Sequence, residues 1–366
     1  MKIYFLSTVH VREDVRVYHN EFKTILEKYP SSSFVVADGK GSDLDKGIID
    51  LGIISRSRVL RPVLGAAKVF LFFRNKEKSI IHFHDPEILL VAPLLRLLGH
   101  KLFYDVHEDL PRQIFSKHWI PKFLMKPVSF CVEAIEKCSS LFINHYFTAT
   151  PQISSRFKND KTTIIRNYPS KSIVDFRALD NEVKHIAYLG NITHARGIYE
   201  MLSLIEELNN KGFKLRLKLG GRFAPNELKN EVTQHSGWKY VDFVGWVNRA
   251  DINDFFQGVL CGLVILKPYP NYLESSPNKL FEYMAMGLPV IASDFPVWKE
   301  LIDDSDGVFF VPHDDVSSMV SSIISLQDES LVSSIRNKCK KAILEKYNWE
   351  NEAEKMLEVY ARFTEC

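Results

Sequence analysis

The 366-residue sequence lacks the features that mark several protein classes. Its five cysteines form no Cys-x-x-Cys pair, which argues against a zinc ribbon or a disulfide framework and fits a reducing compartment. No apolar run reaches the about 20 residues that a membrane-spanning helix needs, because residues 88–98 are broken by Pro93 and Arg96. The first ten residues have no small-residue cleavage site, so we interpret them as a strand rather than a signal peptide.

Low hydrophobicity and a large net charge, which mark disordered chains, are also missing. Hydrophobic residues make up 46%, and 47 Lys and Arg residues nearly balance 45 Asp and Glu residues. The charge is unevenly placed, since residues 1–170 carry +8 and the remainder carries −6. A basic half suggests an anionic partner, either a membrane surface or a phosphorylated substrate. No zinc-finger spacing, RNP-like strand or basic heptad region is present, so nucleic acid is not an expected partner.

Apolar strand-like segments alternate with helical periodicity along the whole chain. This alternation predicts an α/β fold with parallel sheets that are covered on both faces. The chain is longer than the about 250–300 residues at which one core stops growing, so we expect two Rossmann-like domains facing each other across a cleft. The predicted bounds are 1–168 for the first domain, 169–183 for a linker and 184–348 for the second.

The strongest motif spans residues 274–293 and predicts a loop that feeds the N-terminus of a helix. A helix N-terminus offers free backbone N–H groups and partial positive charge, which suit a phosphate. Pro277 has no N–H, so the expected donors are the amides of Asn278, Lys279 and Leu280. Glu282 lies inside the helix and could accept hydrogen bonds from a ribose, and Glu274 could reach a sugar hydroxyl. An ordinary capped helix with exposed glutamates remains an alternative from these residues alone.

The segment PNKLFEYMAMGLPVIAS, residues 277–293, resembles the Glu-x7-Glu region of family 4 glycosyltransferases of the GT-B fold. The resemblance extends over nearly the whole chain and is carried by YLGNITHARG (188–197), HFHDPE (82–87), YDVHE (104–108) and YNWE (347–350). It implies a retaining, nucleotide-sugar-dependent enzyme in which Glu282 holds the donor ribose and Glu274 contacts the donor sugar. It also implies that the terminal helix, residues 349–366, crosses back to the first domain.

The glycine loop that begins at Gly190 departs from the family pattern. Many members carry an Arg after this glycine and a Lys about five residues later, both on the diphosphate, whereas this chain has Asn191 and Arg196. Arg196 can hold two phosphate oxygens with its planar guanidinium. The candidates for the missing cation are Lys279, Lys267 and Arg222. The spacing is not Gly-x-Gly-x-x-Gly, so a nicotinamide enzyme is not expected.

The resemblance also implies a site for the nucleotide base and a catalytic histidine. Trp246 and Val247 follow a predicted strand at the edge where family members bind the nucleotide base, although Trp246 could equally be a packing residue. His107 corresponds to a family histidine beside the donor sugar, with Asp105 either orienting its ring or capping the strand. We therefore assign His107, Glu274 and Arg196 to the catalytic centre.

Several residues of the first domain are predicted to contact the acceptor. We expect His82 and His84 to point to opposite faces of their strand, with His84 at the cleft beside Asp85, Glu87 and Glu108. The loop after the first strand resembles the acceptor-side loop of the family and supplies four further residues: His10, Arg12, Asp14 and Arg16. These acidic and histidine groups could also suggest a metal, but their spacing matches no zinc motif, so no metal is expected.

Basic and apolar residues are interleaved in two stretches, 56–78 and 112–126. Such segments suit an interfacial helix on anionic lipid, although a basic helix packed on the sheet would look similar. The residues predicted to meet the membrane are Lys117, Trp119, Lys122, Phe123 and Lys126.

Together these features predict a glycosyltransferase that takes a sugar from a nucleotide diphosphate sugar, with uridine as the base. The expected acceptor is a lipid-linked saccharide in cell-surface polysaccharide synthesis, and the expected location is the cytoplasmic face of the plasma membrane. No cofactor is expected, and the oligomeric state is not predicted. Two alternatives remain: a nucleotide-sugar 2-epimerase of the GT-B fold, and a catalytically silent GT-B partner subunit.

Overall fold

The computed structural model of the chain describes residues 1–55, 57, 60–116, 120–174, 183, 185–302 and 307–364. These residues form two compact units. Unit 1 comprises Met1–Asn167 together with Asn351–Cys366, and unit 2 comprises Tyr168–Glu350.

Unit 1 is built on a parallel sheet of seven strands in the order β3-β2-β1-β4-β5-β6-β7. The strands are short apolar segments whose side chains are mostly buried, as expected for a sheet covered on both faces. Their bounds are β1 Lys2–Leu6, β2 Ser33–Val36, β3 Ile48–Asp50, β4 Ser79–Phe83, β5 Lys101–Val106, β6 His145–Thr148 and β7 Thr162–Ile164.

The helical segments of unit 1 connect these strands. A π-helix, Val15–Phe22, leads directly into α1. The α-helices are α1 Lys23–Lys28, α2 Leu60–Phe73, α3 Ala92–Leu97, α4 Leu110–Gln113, α5 Lys122–Ser139 and α6 Pro151–Ser154. The 3-10 helices are Leu44–Lys46, Pro86–Leu90, Ile114–Ser116 and Asn159–Lys161.

Unit 2 has a parallel sheet of six strands in the order β10-β9-β8-β11-β12-β13. The strands are β8 His185–Leu189, β9 Arg216–Gly220, β10 Val241–Gly245, β11 Val259–Val264, β12 Val290–Ser293 and β13 Val308–Val311. The α-helices are α7 Ile198–Asn210, α8 Leu228–Val232, α9 Ile252–Phe255, α10 Pro270–Leu273, α11 Asn278–Ala285, α12 Pro296–Leu301, α13 Val316–Ser325 and α14 Glu329–Glu345. The 3-10 helices are Lys171–Ile173, His194–Arg196, Ser236–Tyr240 and Arg249–Asp251.

The last helix, α15 Trp349–Thr364, begins at the end of unit 2 and runs into unit 1. Tyr360 on this helix is fully buried against the unit 1 sheet, where its ring lies 5.1 Å from that of Phe103. Its hydroxyl lies 2.6 Å from Nδ1 of His82 on β4. The helix therefore covers the sheet face that carries Phe5, His82, Phe103 and Phe147.

The opposite face of the unit 1 sheet has its own apolar core. Tyr4, Ile81 and Tyr104 on this face pack with buried side chains of α2, of the 3-10 helix Pro86–Leu90 and of α3. Helix α5 lies further out, and the hydroxyl of its Ser139 donates to the carbonyl of Leu89. Among the described residues, no helix combines the length and the apolar character needed to cross a bilayer.

Candidate functional site

Three glycine loops lie side by side at the carboxyl edge of the unit 2 sheet. Gly190 follows β8, and its N–H donates to the carbonyl of Gly220 at 2.9 Å. Gly221 donates to the carbonyl of Gly245 at 2.6 Å, and a Cβ on Gly221 would lie 1.8 Å from the carbonyl oxygen of Gly190. Only glycine allows this approach, and its φ of +135° at Gly221 is one that L side chains rarely adopt. In open α/β sheets, this carboxyl edge is where ligands bind.

The start of α11 lies against the first of these loops. A Cβ on Gly190 would lie 2.5 Å from Cε of Lys279, so the lysine side chain crosses directly over the glycine. The Lys279 ammonium lies 3.3 Å from Oε2 of Glu282, one helical turn further along. A cation and a carboxylate are thus held together beside Gly190, which has no side chain.

The backbone amides at this helix start are partly occupied. The N–H of Asn278 donates to the carbonyl of Ser276, and the N–H of Leu280 donates to the carbonyl of Pro277. Both amides were predicted to be free to bind a phosphate, but in the structure each donates to a nearby backbone carbonyl. The Leu280 side chain is fully buried, so only its backbone can serve a ligand.

The structure separates the three candidate cations. Lys267 pairs with Glu200 at 2.9 Å, and the Arg222 guanidinium stacks 4.4 Å from the ring centre of Trp246. Lys279 is therefore the candidate that crosses the Gly190 loop, next to the exposed Asn191.

Arg196 is half-buried, and two tyrosines that sequence reasoning missed surround it. Burial disfavours the charged guanidinium, but the hydroxyls of Tyr188 and Tyr272 outweigh this effect and raise the pKa of Arg196. The Tyr188 hydroxyl also donates to the carbonyl of Asn191 at 2.7 Å. These contacts fix Arg196 beside the glycine loop. An aromatic residue in a strand, as Tyr188 is, or in a short helix, as Tyr272 is, gives no sequence signal for such a role.

Two other aromatic residues hold the loop and the helix in place. The hydroxyl of buried Tyr283 accepts the N–H of Leu189 at 2.9 Å, which ties α11 to the end of β8. The indole of buried Trp298 donates to the carbonyl of Ser275 at 2.8 Å, which ties down the segment between Glu274 and the helix. Glu274 itself is exposed.

Trp246 and Val247 follow β10 as predicted, but their environments differ. Trp246 is 58% exposed, whereas Val247 packs against the unit 2 core. Trp246 is thus not a core residue, and its indole forms an open aromatic surface.

In unit 1, His10 and His107 meet at the carboxyl edge of the seven-stranded sheet. Their Nε2 atoms lie 3.2 Å apart, and Nδ1 of His10 lies 3.0 Å from Oδ2 of Asp14. Burial would lower the pKa of His10, but the hydrogen bond to Asp14 and the nearby carboxylates of Asp85 and Asp105 raise it. Burial would raise the pKa of Asp14, but His10 and the N–H of Val17 lower it to about 2.

Three other predicted acceptor residues occupy different surroundings. Arg12 forms a two-pronged ion pair with Asp38, at 2.8 and 2.6 Å. Asp85 is buried and accepts the Ser7 hydroxyl at 2.8 Å and the Thr8 N–H at 2.6 Å, so it fixes the loop after β1. Glu108 is exposed.

Arg16 lies inside unit 1 and not on its surface. Its guanidinium contacts the fully buried carboxylate of Asp105 at 2.9 to 3.2 Å and lies 2.9 Å from Glu21. Burial alone would raise the pKa of Asp105, but Arg16 lowers it well below its usual range. The prediction that Arg16 contacts the acceptor is therefore wrong. Arg16 instead neutralises the buried carboxylate of Asp105.

The expectation for His82 and His84 is also wrong. Their rings stack at a centroid distance of 4.9 Å on the same face, because residues two apart along a strand point to the same side. Both are buried, and burial lowers the pKa of each ring. His84 therefore belongs to the core and is not at a surface where a saccharide could contact it.

Glu21, His82, His84 and Asp105 form the one group among the described residues whose ligand-type atoms all lie within 4.8 Å of one another. Arg16 already supplies positive charge to both carboxylates of this group. A metal ion placed there would lie against a guanidinium, so the arrangement favours a buried charge network over a metal centre.

Of the predicted membrane residues, Lys122, Phe123 and Lys126 begin α5 and are exposed. Lys117 and Trp119 lie outside the described residues.

Comparison with known proteins places this site in a family context. Residues 171–348 match the family model described as "Glycosyl transferases group 1". An uncharacterized glycosyltransferase of Methanocaldococcus jannaschii, MJ1607, is 24% identical over 194 residues, which are 51% of this chain and 48% of that protein. The chain thus spans about half of that relative.

Two matches extend over the full chain. The capsular polysaccharide biosynthesis glycosyltransferase CapM of Staphylococcus aureus is 21% identical, covering 100% of this chain and 98% of CapM. The crystal structure of Anabaena HepE in complex with UDP-glucose superposes with a TM-score of 0.71 at 14% identity, covering 99% of this chain and 100% of that one. The chain therefore has the GT-B fold that its sequence predicted, and its residues 171–348 match the glycosyl transferases group 1 model.

Proposed function

We propose that this chain is a glycosyltransferase that moves a sugar from a uridine diphosphate sugar to a saccharide acceptor. The observation that carries the proposal is the Lys279–Glu282 pair over the Gly190 loop, within the residues that match the glycosyl transferases group 1 model. HepE, which shares the fold, is known in complex with UDP-glucose, and this supports uridine as the base.

In this proposal each part of the donor has its own group of residues in unit 2. Glu282 accepts the ribose hydroxyls, and Lys279 and Arg196 neutralise the diphosphate at the start of α11. The base lies by the end of β10, near Trp246 and Val247. Glu274, which follows α10, contacts the sugar. Asn191 and the side chain of Asn278 complete the phosphate contacts.

The reaction breaks the bond between the anomeric carbon and the diphosphate oxygen and forms one to an acceptor hydroxyl oxygen, whose proton is released. We propose that the anomeric configuration is retained, as the family resemblance implies. Catalysis then rests on positioning and on the neutralisation of the leaving diphosphate, for which Arg196 and Lys279 are the cations. His107 is proposed to act beside the reacting sugar.

The acceptor is proposed to be a saccharide carried on a lipid and to bind unit 1. The relative CapM takes part in capsular polysaccharide biosynthesis, which supports a cell-surface glycan as the product. His10, Asp14 and Glu108 remain accessible for acceptor contacts, and Arg12 reaches this surface from its pair with Asp38.

Calorimetry with UDP tests the donor site directly. Glu282→Ala should weaken UDP binding by about 10- to 150-fold, because a hydrogen bond to a charged group contributes about 1.5–3 kcal/mol. Glu300→Ala, which removes an exposed glutamate from α12, is the matched control and should bind UDP as the wild type does. A folded Glu282→Ala variant with the wild-type dissociation constant would refute the ribose assignment.

The same protein distinguishes transfer from epimerisation and from a silent subunit. Incubation with a UDP-sugar alone should release no C2 epimer, since the proposal requires an acceptor. Epimer formed from donor alone would favour the epimerase, and absence of any UDP or UDP-sugar binding would favour the silent subunit. In a thermal-shift panel, a ligand at 100 times its dissociation constant should stabilise the fold by about 2.7 kcal/mol.

A further inference from the structure

Exposed apolar side chains are concentrated in unit 1. In the part of the chain that the structure describes, 25 large apolar residues are exposed, and 20 of them belong to unit 1. The two units are equal in length, so size does not explain this difference. Single exposed apolar residues are ordinary, but a concentration of them marks an interaction surface.

Twelve of these residues lie on three neighbouring segments: α2, residues 86–98 and α5. Helix α2 packs on the 3-10 helix Pro86–Leu90, and α5 packs on the same 3-10 helix from outside. We call the outward side of these three segments the apolar face. Its most exposed members include Val63 at 62%, Leu97 at 81%, Phe123 at 78% and Phe130 at 73%.

Helical spacing puts the exposed residues of each segment on one side. Leu60, Val63, Leu64 and Leu71 follow helical spacing along α2, while the inner side of α2 buries Val69 and Phe73. Helix α2 thus carries large apolar side chains on its exposed side as well as on its buried side.

Helix α5 shows the same lack of cover more strongly. It has 18 residues, and of these only Glu136 and Ser139 are buried. Phe123 and Phe130 are seven residues apart, two helical turns, and so lie on one side of it. The helix contributes little to the unit 1 core, so its apolar residues require another explanation.

The charges around the apolar face indicate what covers it. Residues 60–73 contain two cations, Arg61 and Lys68, and no acid. Residues 86–98 contain Arg96 and one acid, the buried Glu87, which pairs with Arg61 at 3.3 Å. In α5, Lys122 and Lys126 begin the helix, and no acid occurs before Glu133. Cations bordering exposed aromatic and aliphatic side chains match an anionic lipid surface, which offers phosphate at its boundary and acyl chains below.

We infer that α2, residues 86–98 and α5 form a docking surface for an anionic lipid bilayer, on which unit 1 rests. This rests on the proposed function, because a lipid-carried acceptor would bring the enzyme to the membrane. The inference adds to the proposed function the surface that meets the membrane and the lipid that it meets. In it, α2, α3 and α5 all contact the bilayer, and the lysines that begin α5 bind phosphate headgroups.

Vesicle flotation tests this surface, using vesicles of equal phosphatidylglycerol and phosphatidylcholine. The wild type should float with these vesicles at low salt and should not float with phosphatidylcholine alone. Lys122→Glu/Lys126→Glu should weaken partitioning by at least about 30-fold, since each cation near an anionic surface contributes about fivefold. Lys338→Glu/Lys341→Glu, on exposed positions of α14 in unit 2, changes the charge equally and should float as the wild type does.

A second variant separates the apolar contribution. Salt screens the lysines but not buried aromatic rings, so part of the wild-type binding should persist at high salt. Phe123→Ser/Phe130→Ser should lose that salt-resistant part. Because both residues are largely exposed, these changes should leave the fold intact, and UDP calorimetry on the same preparations checks this.

Several outcomes would overturn the docking surface. Wild-type protein that binds UDP but never floats would do so, as would equal flotation of both variants and the wild type. Variants that convert a dimer into monomers, with no effect on vesicles, would assign the apolar face to a second copy of the chain. A wild type that floats but binds no UDP would instead contradict the proposed donor function and leave the docking surface standing.

Discussion

The most direct test of the donor site is the replacement of Lys279 by alanine. Two consequences of this change can be separated, because the ammonium has one partner in the free protein and another in the proposed complex. In the free protein it lies 3.3 Å from Glu282, and the two side chains are 27% and 48% exposed. An ion pair this exposed contributes between about 0 and 1 kcal/mol, so Lys279→Ala should change the free energy of unfolding little.

The effect on ligand binding should be much larger. A lysine on the diphosphate makes charge-assisted hydrogen bonds, each contributing about 1.5–3 kcal/mol. The dissociation constant of UDP should therefore rise by about 10- to 150-fold, while that of uridine should change little. A lysine that served only the helix would give the opposite pattern, with a loss of stability and no selective loss of UDP.

Calorimetry with UDP and uridine, together with thermal unfolding, measures both consequences. Lys267→Ala is the matched control, because Lys267 pairs with Glu200 and should affect UDP binding less. A folded Lys279→Ala variant with unchanged UDP affinity would refute the assignment. A larger loss in Lys267→Ala than in Lys279→Ala would move the diphosphate to the other lysine.

Unit 1 gives three further expectations. Asp105→Asn should cost up to about 3–5 kcal/mol in urea unfolding, because it removes the ionised carboxylate that neutralises the buried Arg16 and leaves only Glu21 beside that charge. Glu21→Gln should cost far less, since burial and the charge of Asp105 raise the pKa of Glu21; equal losses would contradict this. His107→Ala should lower kcat far more than it raises the KM for donor, and a wild-type kcat would make His107 structural. Asp14→Asn should lower the pKa of His10 in an NMR titration, and an unchanged pKa would show that Asp14 does not stabilise the protonated imidazole. Because the pKa of His10 is raised above its ordinary value in the folded protein, its stabilisation is fully present below the ordinary pKa and is lost as pH rises through the folded pKa; the variant should lose the part of this dependence that Asp14 supplies.

The fold could be predicted from the sequence because its information is local. Strands such as β1 and β12 are short, largely apolar runs. Glycines directly follow several strands and helices and mark where they end. The end of one helix and the start of the next are harder to predict, as at the division between α13 and α14. Asp328 explains that division, because its carboxylate caps the second helix by accepting the N–H groups of Ser330 and Leu331.

The site could be predicted only in part, because its contacts join distant residues. Arg16 and Asp105 are 89 positions apart, and neither their pairing nor their burial is readable from spacing. The sequence pattern predicted Arg16 in an exposed loop, whereas it lies in the π-helix with its side chain buried. The choice among the three candidate cations also depended on partners far along the chain, as with Lys267 and Glu200.

The path of α15 has a consequence for how the protein is made. Unit 2 is continuous from Tyr168 to Glu350, whereas unit 1 needs the segment that follows it. During synthesis on the ribosome, the first 167 residues therefore emerge long before Tyr360 can cover Phe103 and bond His82. Unit 1 can reach its final packing only after all of unit 2 has been translated, so the domain that begins first is completed last.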